Sequence, residues 1–417
     1  MPTDNVDNEQ INLQAEYDWN LGKVSIRPGV SYQSMSYDDT EYIAEIGNGY
    51  LNKERTIDIL AGSARVDYRP TDKLRFVAAL RAEQYSHPDD IYASWQFVSS
   101  YKINDNNIIR AVYSRANQSS FLVNTYSNYT WNVANMPYPR VMQFDGDPNH
   151  DLKTMDMIEL GYRTRPTKNL LIDIEAFYNV SEGFGALMPT YTDYAIYNPL
   201  DVIMGQPAIA RPDSINIQYL NLDLKSKQLG ASISIDWVIN EKLVANGHLT
   251  IQQTKLDNYQ PLNRNDIVGH QAVEAGTNAQ IELAAWGQKL VNGEITPGDV
   301  PAIIKGTSTS WPATIHNNYE HQSRPSYFGG LSLTYRPIKK LEILPQAYFY
   351  GEQVLENQYS TEAIEGKFLL NAKVSYKANS NLTFYINGRN ILNMDAREFA
   401  FMDEIPGMVL GGLNFKF

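Results

Sequence analysis

Apolar and polar side chains alternate along this chain in segments of roughly ten residues. Phe368, Leu370, Ala372, Val374 and Tyr376 interleave with Leu369, Asn371, Lys373, Ser375 and Lys377. Leu229, Ala231, Ile233, Ile235 and Trp237 interleave with Gly230, Ser232, Ser234 and Asp236. Leu331, Leu333 and Tyr335, then Leu382, Phe384 and Ile386, and further back Leu74, Phe76, Ala78 and Leu80, repeat the pattern. A period of two puts one set on each face of a strand. The last residues behave the same way: Val409, Gly411, Leu413, Phe415 and Phe417 share a face. A closing aromatic on an apolar face suits a strand whose outer side meets lipid.

The connections add a second regularity. Every other one is tight and built of turn-forming residues: RPTDK (69–73), INDNN (103–107), RPTKN (165–169), INEK (239–242), RPIKK (336–340) and ANSN (378–381). Pro, Asn and Asp favour turns for distinct backbone reasons. Most of the intervening connections are long: 35–55, 118–155, 182–218, 256–323, 351–366 and 391–407, with 86–91 the short exception. Short turns on one side and long loops on the other describe an outer-membrane barrel, with the short side periplasmic. The pattern predicts about fifteen strands, the first near 11–19 and descending from the outside. A complete barrel of this kind has an even count, so the odd number points either to a missing N-terminal part or to a miscount by one.

Composition narrows the class. The chain has 28 Tyr, 14 Phe and 6 Trp in 417 residues, yet its mean hydropathy is only −0.39. Many aromatics without overall greasiness fits strands apolar on one face. No run of eighteen apolar residues exists, which excludes a helical membrane span. With no cysteine, disulfides and thiolate metal sites are excluded. The net charge of −12 argues against nucleic acid as a partner. The N-terminal residues MPTDNVDNEQ are polar and show no signal peptide. The expectation is therefore a leader already removed or a fragment.

Several segments, in order, resemble the C-terminal barrel of TonB-dependent outer-membrane receptors. NIIRAVYSRANQSSFLVN (107–124) is similar to a strand-and-loop segment of that family, although Gln118, Ser119 and Ser120 stand where the family has Arg-Ser-Pro or Arg-Ala-Pro. DPNHDLKTMDMIELGYRT (147–164) resembles its Asn-Pro-Asp-Leu-Lys-Pro-Glu stretch and the following Glu-Leu-Gly-Tyr. Here His150 and Thr154 replace prolines and Met155 replaces the acidic residue. LLIDIEAFYNVSEGF (170–184), YLNLDLKSKQLGASISIDW (219–237), LTFYINGRNILN (382–393) and the Phe terminus complete the series. The resemblance covers about 100–417. It implies an all-β fold: a transmembrane antiparallel β-barrel of about 22 strands, of which this chain supplies the last fifteen. It also implies a plug inside the barrel, coupling to a TonB-type protein, and import of a bulky nutrient of the siderophore, cobalamin or glycan class across the outer membrane of a Gram-negative bacterium. Nothing in residues 1–417 resembles the plug or the coupling segment, so the expectation is one partial barrel domain. Its expected partners are outer-membrane lipid and a plug or partner chain that supplies the missing strands.

Candidate chemistry is sparse. Asp145, Asp147, Asn149, Asp151 and Asp156 fall at calcium-loop spacing. However, His150 stands where such a loop needs Gly and Pro148 intrudes, so an acidic outer loop is the stronger reading. His316 and His321, with Glu320 between, lack a third or fourth ligand. HExxH, GxSxG and a P-loop are absent. No metal, cofactor or enzymatic activity is expected. The outer loops carry Tyr126, Tyr129, Trp131, Tyr138, Trp286, Trp311 and Tyr319, which as a group are the best candidates for a ligand vestibule. NAQIELAAWGQKLV (278–291) is expected to form a short helix with Ile281, Ala284, Ala285 and Gln288 on one face, as a lid or docking surface. Arg75, Arg81, Glu83, Glu159, Arg163, Asp173, Glu175, Lys373 and Arg389 belong to the inward face.

Two other readings stay open. One is a complete passive channel of about fourteen or sixteen strands. The other is a split-barrel or scaffold subunit without transport of its own, completed by another chain because unpaired strand edges are prohibitive in lipid.

Overall fold

A computed structural model describes residues 5–119, 121–132, 141–261, 263–312, 314–356, 361–393 and 397–417. One antiparallel sheet dominates it. Fifteen long strands make up this wall, each bonded to the next along the chain. The first is Asp7–Glu16, resumed at Trp19–Leu21, and the last is Met408–Phe415. The start predicted near residue 11 thus lies four residues earlier, and a seventh tight turn, Gly22–Lys23, joins the six read from the sequence.

The tight turns share one construction. Wall strands meet across two-residue turns such as Asp72–Lys73 and Lys168–Asn169. In five of them the register slips just before the turn, and three of the slips fall between Tyr68 and Thr71, Thr164 and Thr167, and Tyr335 and Ile338. Those three slips hold Pro70, Pro166 and Pro337, which have no N–H to give to a ladder and are tolerated at bulges. The repeated Arg-Pro of the sequence is therefore a device for ending a strand at the tight-turn side.

The two faces of the wall differ as the alternation requires. Leu13, Leu60, Leu80, Ile158, Leu160, Leu229, Ile251, Leu331, Ile386 and Leu413 are each about half exposed, on one face. A soluble protein does not leave such a surface bare. Toward the tight turns this face carries Tyr68, Tyr101, Trp237, Tyr335, Tyr376 and Phe415, all exposed, in the arrangement of an interfacial aromatic girdle. The opposite face is polar and internally paired. Arg110 Nε donates to Glu159 Oε1 at 2.9 Å, and the same guanidinium reaches Glu175. Arg163 pairs with Asp173, and Arg75 with Asp67. Gly161 faces Arg110 in the ladder, and a Cβ there would lie 2.8 Å from Arg110 Cγ, so glycine gives the guanidinium room to cross the strand.

The end strands differ from the rest. Among the described residues Asp7–Glu16 pairs only with Val24–Asp38, and Met408–Phe415 only with Leu382–Arg389. Every residue of the first strand is exposed, and all but one of the last. Each presents a row of unpaired backbone groups.

The loops are where the sequence reading falls short. The connection expected over 182–218 is a second hairpin of strands, Phe184–Tyr197 and Ile209–Leu222. These belong to a separate five-stranded sheet, in the order Ile303–Ser308, Phe184–Tyr197, Ile209–Leu222, Val141–Asp145 and Asn128–Asn132. Its one parallel pairing joins Ile209–Leu222 to Val141–Asp145. The expected short helix at 278–291 is a 28-residue helix, Arg264–Val291. Its start is fixed by a capping box: Asn263 Oδ1 accepts from the Asp266 N–H at 3.0 Å, and Asp266 Oδ2 accepts from the Asn263 N–H at 3.2 Å.

Candidate ligand-binding site

The sheet and helix form a cap beyond the long-loop end of the wall. The helix buries Ile267, Gln271, Ala275, Ala279 and Leu283, one residue per turn, against the sheet. Ala279 and Leu283 join Ile196 and Ile304 in an apolar core. Gln271 is fully buried and bridges the layers: it accepts from Thr192 Oγ1 at 2.9 Å and donates to the Pro189 carbonyl oxygen at 3.3 Å. The face containing Ile281, Ala284, Ala285 and Gln288 is turned to solvent.

A cavity of about 570 Å³ opens where the cap meets the wall. Leu187, Met188, Leu222, Tyr259, Trp311 and Ile315 supply its apolar surface, and Asn221, Arg264 and Glu356 its polar points. Such a mixture, mostly apolar with a few directed polar groups, is typical of small-molecule sites. Trp311 is held by its Nε1–H, which donates to the Pro189 carbonyl oxygen at 3.1 Å. The Tyr259 hydroxyl donates to Glu356 Oε2 at 3.1 Å. Burial, with Glu356 adding to it, pushes the Tyr259 phenol above its ordinary range, so it stays a hydrogen-bond donor.

The seven aromatic candidates are distributed over several places. Trp311 lines this cavity, and Tyr319 packs on Tyr259 with ring centres 4.6 Å apart. Tyr126 is buried in a separate core with Ile57, Tyr85 and Leu152. Its hydroxyl shares a 2.6 Å hydrogen bond with His87 Nδ1, and the Arg55 guanidinium lies over its ring. Tyr129 stacks on Phe144 at 4.6 Å in the core of the five-stranded sheet. Trp131 is exposed on that sheet's edge strand. Trp286 donates from Nε1 to Glu282 on its own helix. Tyr138 lies outside the described residues. Tyr259, absent from the candidates, is the residue the sequence reading missed; its position just beyond a wall strand, facing Trp311 and Tyr319, is a tertiary fact.

The metal candidates are otherwise engaged. Asp145 accepts from Gln143 and Asn216, Asp156 pairs with Arg115, and His150 packs edge-on against Tyr219 at 4.6 Å. His316 exchanges backbone hydrogen bonds with Tyr259, and His321 binds Ser323. Among the described residues no three potential ligand side chains are grouped to hold a metal ion.

His321 carries a pH prediction. Burial holds its imidazole below the ordinary histidine value. The opened segment therefore takes up a proton first as pH falls through about 6.5, and the folded segment loses stability there, while above that value its stability is complete. Backbone hydrogen exchange over residues 319–326, corrected for intrinsic rate, is expected to be faster at about pH 5.5 than at about pH 7.5. His321→Gln removes the difference.

The family described as "TonB dependent receptor-like, beta-barrel" matches residues 2–391. Solved structures share the fold at low identity. The siderophore receptor PirA from Acinetobacter baumannii aligns over 99% of this chain and 55% of its own, with 12% identity and a TM-score of 0.65. A mutant of the ferric enterobactin receptor PfeA from Pseudomonas aeruginosa aligns over 99% and 54%, with 10% identity and a TM-score of 0.63. The ferric-catecholate import receptor Fiu from K12 E. coli aligns over 99% and 55%, with 13% identity and a TM-score of 0.59. The chain thus spans about half the length of the structures it matches. No curated protein sequence matches it.

Proposed function

Because the chain belongs to the TonB-dependent receptor β-barrel family, we propose that it forms the greater part of the wall and the ligand-capturing cap of an outer-membrane import receptor. The cargo is a bulky nutrient, of the siderophore, cobalamin or glycan class, taken first by the aromatic cavity around Trp311 and Tyr259. The single observation that carries this reading is the combination of a greasy outer face with two end strands that, among the described residues, each lack a neighbour on one side. A wall of this kind sits in lipid only when other strands close it. The aligned receptors, nearly twice as long, leave room for those strands and for a plug within them. Movement of the plug from the periplasm through a TonB-type protein then releases the cargo inward. The same geometry disfavours a passive channel built from these strands alone.

The test is uptake by cells that make the complete receptor. A panel of a ferric siderophore, cobalamin and an oligosaccharide is offered with and without a protonophore. Import of one of them is expected to stop when the proton gradient collapses, while surface binding persists. Import that continues without the gradient contradicts the proposal and favours a channel. Trp311→Ala is expected to weaken surface binding of the cargo by roughly ten- to thirtyfold, the loss typical of an aromatic anchor.

A further inference from the structure

The tight-turn end of the wall carries a repeated cation. At each of the seven turns, the carbonyl oxygen of one turn residue accepts a backbone N–H from the following hairpin at 2.7–2.8 Å. The acceptors are Lys23, Lys73, Asn106, Asn169, Lys242, Lys340 and Asn381, and the donors, in the same order, are Arg69, Lys102, Arg165, Val238, Arg336, Lys377 and Lys416. Six of the seven donors are Arg or Lys. Each donor directly follows an outward residue: Tyr68, Tyr101, Thr164, Trp237, Tyr335, Tyr376 or Phe415. Alternation turns its own side chain into the lumen. The ion pairs agree: Arg69 reaches inward-facing Asp67, and Arg336 reaches Glu342. Arg69 and Lys102 also line a cavity of about 890 Å³ on this side, together with Lys23, Lys73, Arg75 and Arg163.

The ring is strongly biased in charge. Residues 21–23, 69–73, 102–107, 165–169, 238–242, 336–340, 377–381 and 416–417 hold twelve lysines and arginines against Asp72, Asp105 and Glu241, in a chain of net charge −12. Arg165, Lys377 and Lys416 are exposed and have no acidic partner among the described residues.

From this placement we propose that the periplasmic mouth of the lumen is a cationic collar that holds an acidic polypeptide surface, that of the plug. The inference rests on the import reading above. Successive collar positions are one hairpin apart, about 9–10 Å from the strand spacing. A single small anion reaches one or two of them, whereas an acidic protein face meets the whole arc. Lipid headgroups are excluded because the cations point away from the greasy face. The collar's bonds to the turns come from the backbone, so side chains can be exchanged without touching the ladder.

The test uses the complete receptor purified from outer membranes with its plug. Plug release is followed in urea as the onset of conductance in planar bilayers, and barrel integrity as heat-modifiable gel mobility. Raising salt from about 50 mM to about 1 M, where screening reaches within about 3 Å, is expected to lower the urea midpoint of the unmodified receptor. The triple variant R165Q/K377Q/K416Q is expected to release the plug earlier and to lose most of that salt dependence. Each lost ion pair shifts the release equilibrium about 1.5- to 5-fold. Val238→Lys, which completes the ring, is expected to move the midpoint the other way, and it decides the matter if the triple variant fails to assemble. K377R/K416R should behave like the unmodified receptor. A midpoint insensitive both to salt and to these exchanges overturns the collar. So does an unchanged midpoint accompanied by loss of inorganic phosphate binding, which would mark a small-anion site. Energy-independent uptake, measured separately, would sink the import reading while leaving the plug midpoint as the collar's own readout. A purified receptor without any plug overturns both.

Discussion

Replacing Leu331 with arginine is expected to destabilise the inserted protein by about 2–4 kcal/mol, whereas arginine at the adjacent Ser332 costs far less. Leu331 lies on the outward face, half exposed, four residues from the girdle residue Tyr335, opposite Gly247 and Ala347. That position is near the middle of the apolar band. Ser332 points the other way, between Asn246 and Gln346, where a guanidinium meets polar neighbours and water. The two substitutions place the same charge one residue apart, on opposite faces of one strand. Urea unfolding in lipid vesicles, followed by gel mobility, measures both. Similar losses at the two positions would mean that neither face meets hydrocarbon.

The second large effect concerns the cap. Gly306→Val is expected to drive the helix Arg264–Val291 off the five-stranded sheet while the wall stays intact. A Cβ at Gly306 would lie 2.2 Å from the Ala275 carbonyl oxygen and 2.3 Å from the Ala279 nitrogen. Both are backbone atoms, so no rotamer change relieves the clash. The cost is at least the 1–3 kcal/mol or so of ordinary overpacking, set against a helix held by a narrow stripe of small and apolar residues. Protease cleavage within 264–291 should appear, with gel mobility unchanged. Gly269→Ala is the contrasting substitution. Nothing lies within 4 Å of where a Cβ would sit there, so the helix should gain up to about 1 kcal/mol. Resistance of the Gly306→Val protein to protease would show that the helix is not seated as described.

The wall was legible in the sequence because its signals are local. Period-two alternation names the faces, and turn residues such as Asp72–Lys73 and Lys339–Lys340 mark the ends. Both survive without any knowledge of neighbours. The cap was not legible, for physical reasons that differ by element. Phe184–Tyr197 has its register shifted near Pro189 and again near Asp193, which breaks the alternation that would have marked it as a strand. The helix contains Gly269, Gly276 and buried Gln271 in its first half, so propensity favours only the second half, where it was expected. The buried face of the helix was not legible because small residues, Ala275 and Ala279, make its tightest contact. For the aromatics, sequence position did not show which of them share a cavity and which pack in cores. Tyr126 and Tyr129 serve packed cores, and the cavity partner of Trp311, Tyr259, emerges only when the chain folds back.

The most direct measurement is spin-label accessibility along residues 171–178. The chain has no native cysteine, so single cysteines can be introduced one at a time and labelled in the assembled receptor in vesicles. Labels at Ile172, Ile174, Ala176 and Tyr178 should collide mainly with dissolved oxygen, which concentrates in hydrocarbon. Labels at Leu171, Asp173, Glu175 and Phe177 should collide mainly with a water-soluble nickel chelate or be shielded by whatever fills the interior. Two accessibility profiles of period two and opposite phase are the expected result. Profiles in phase, or without a period, would contradict a lipid-facing wall.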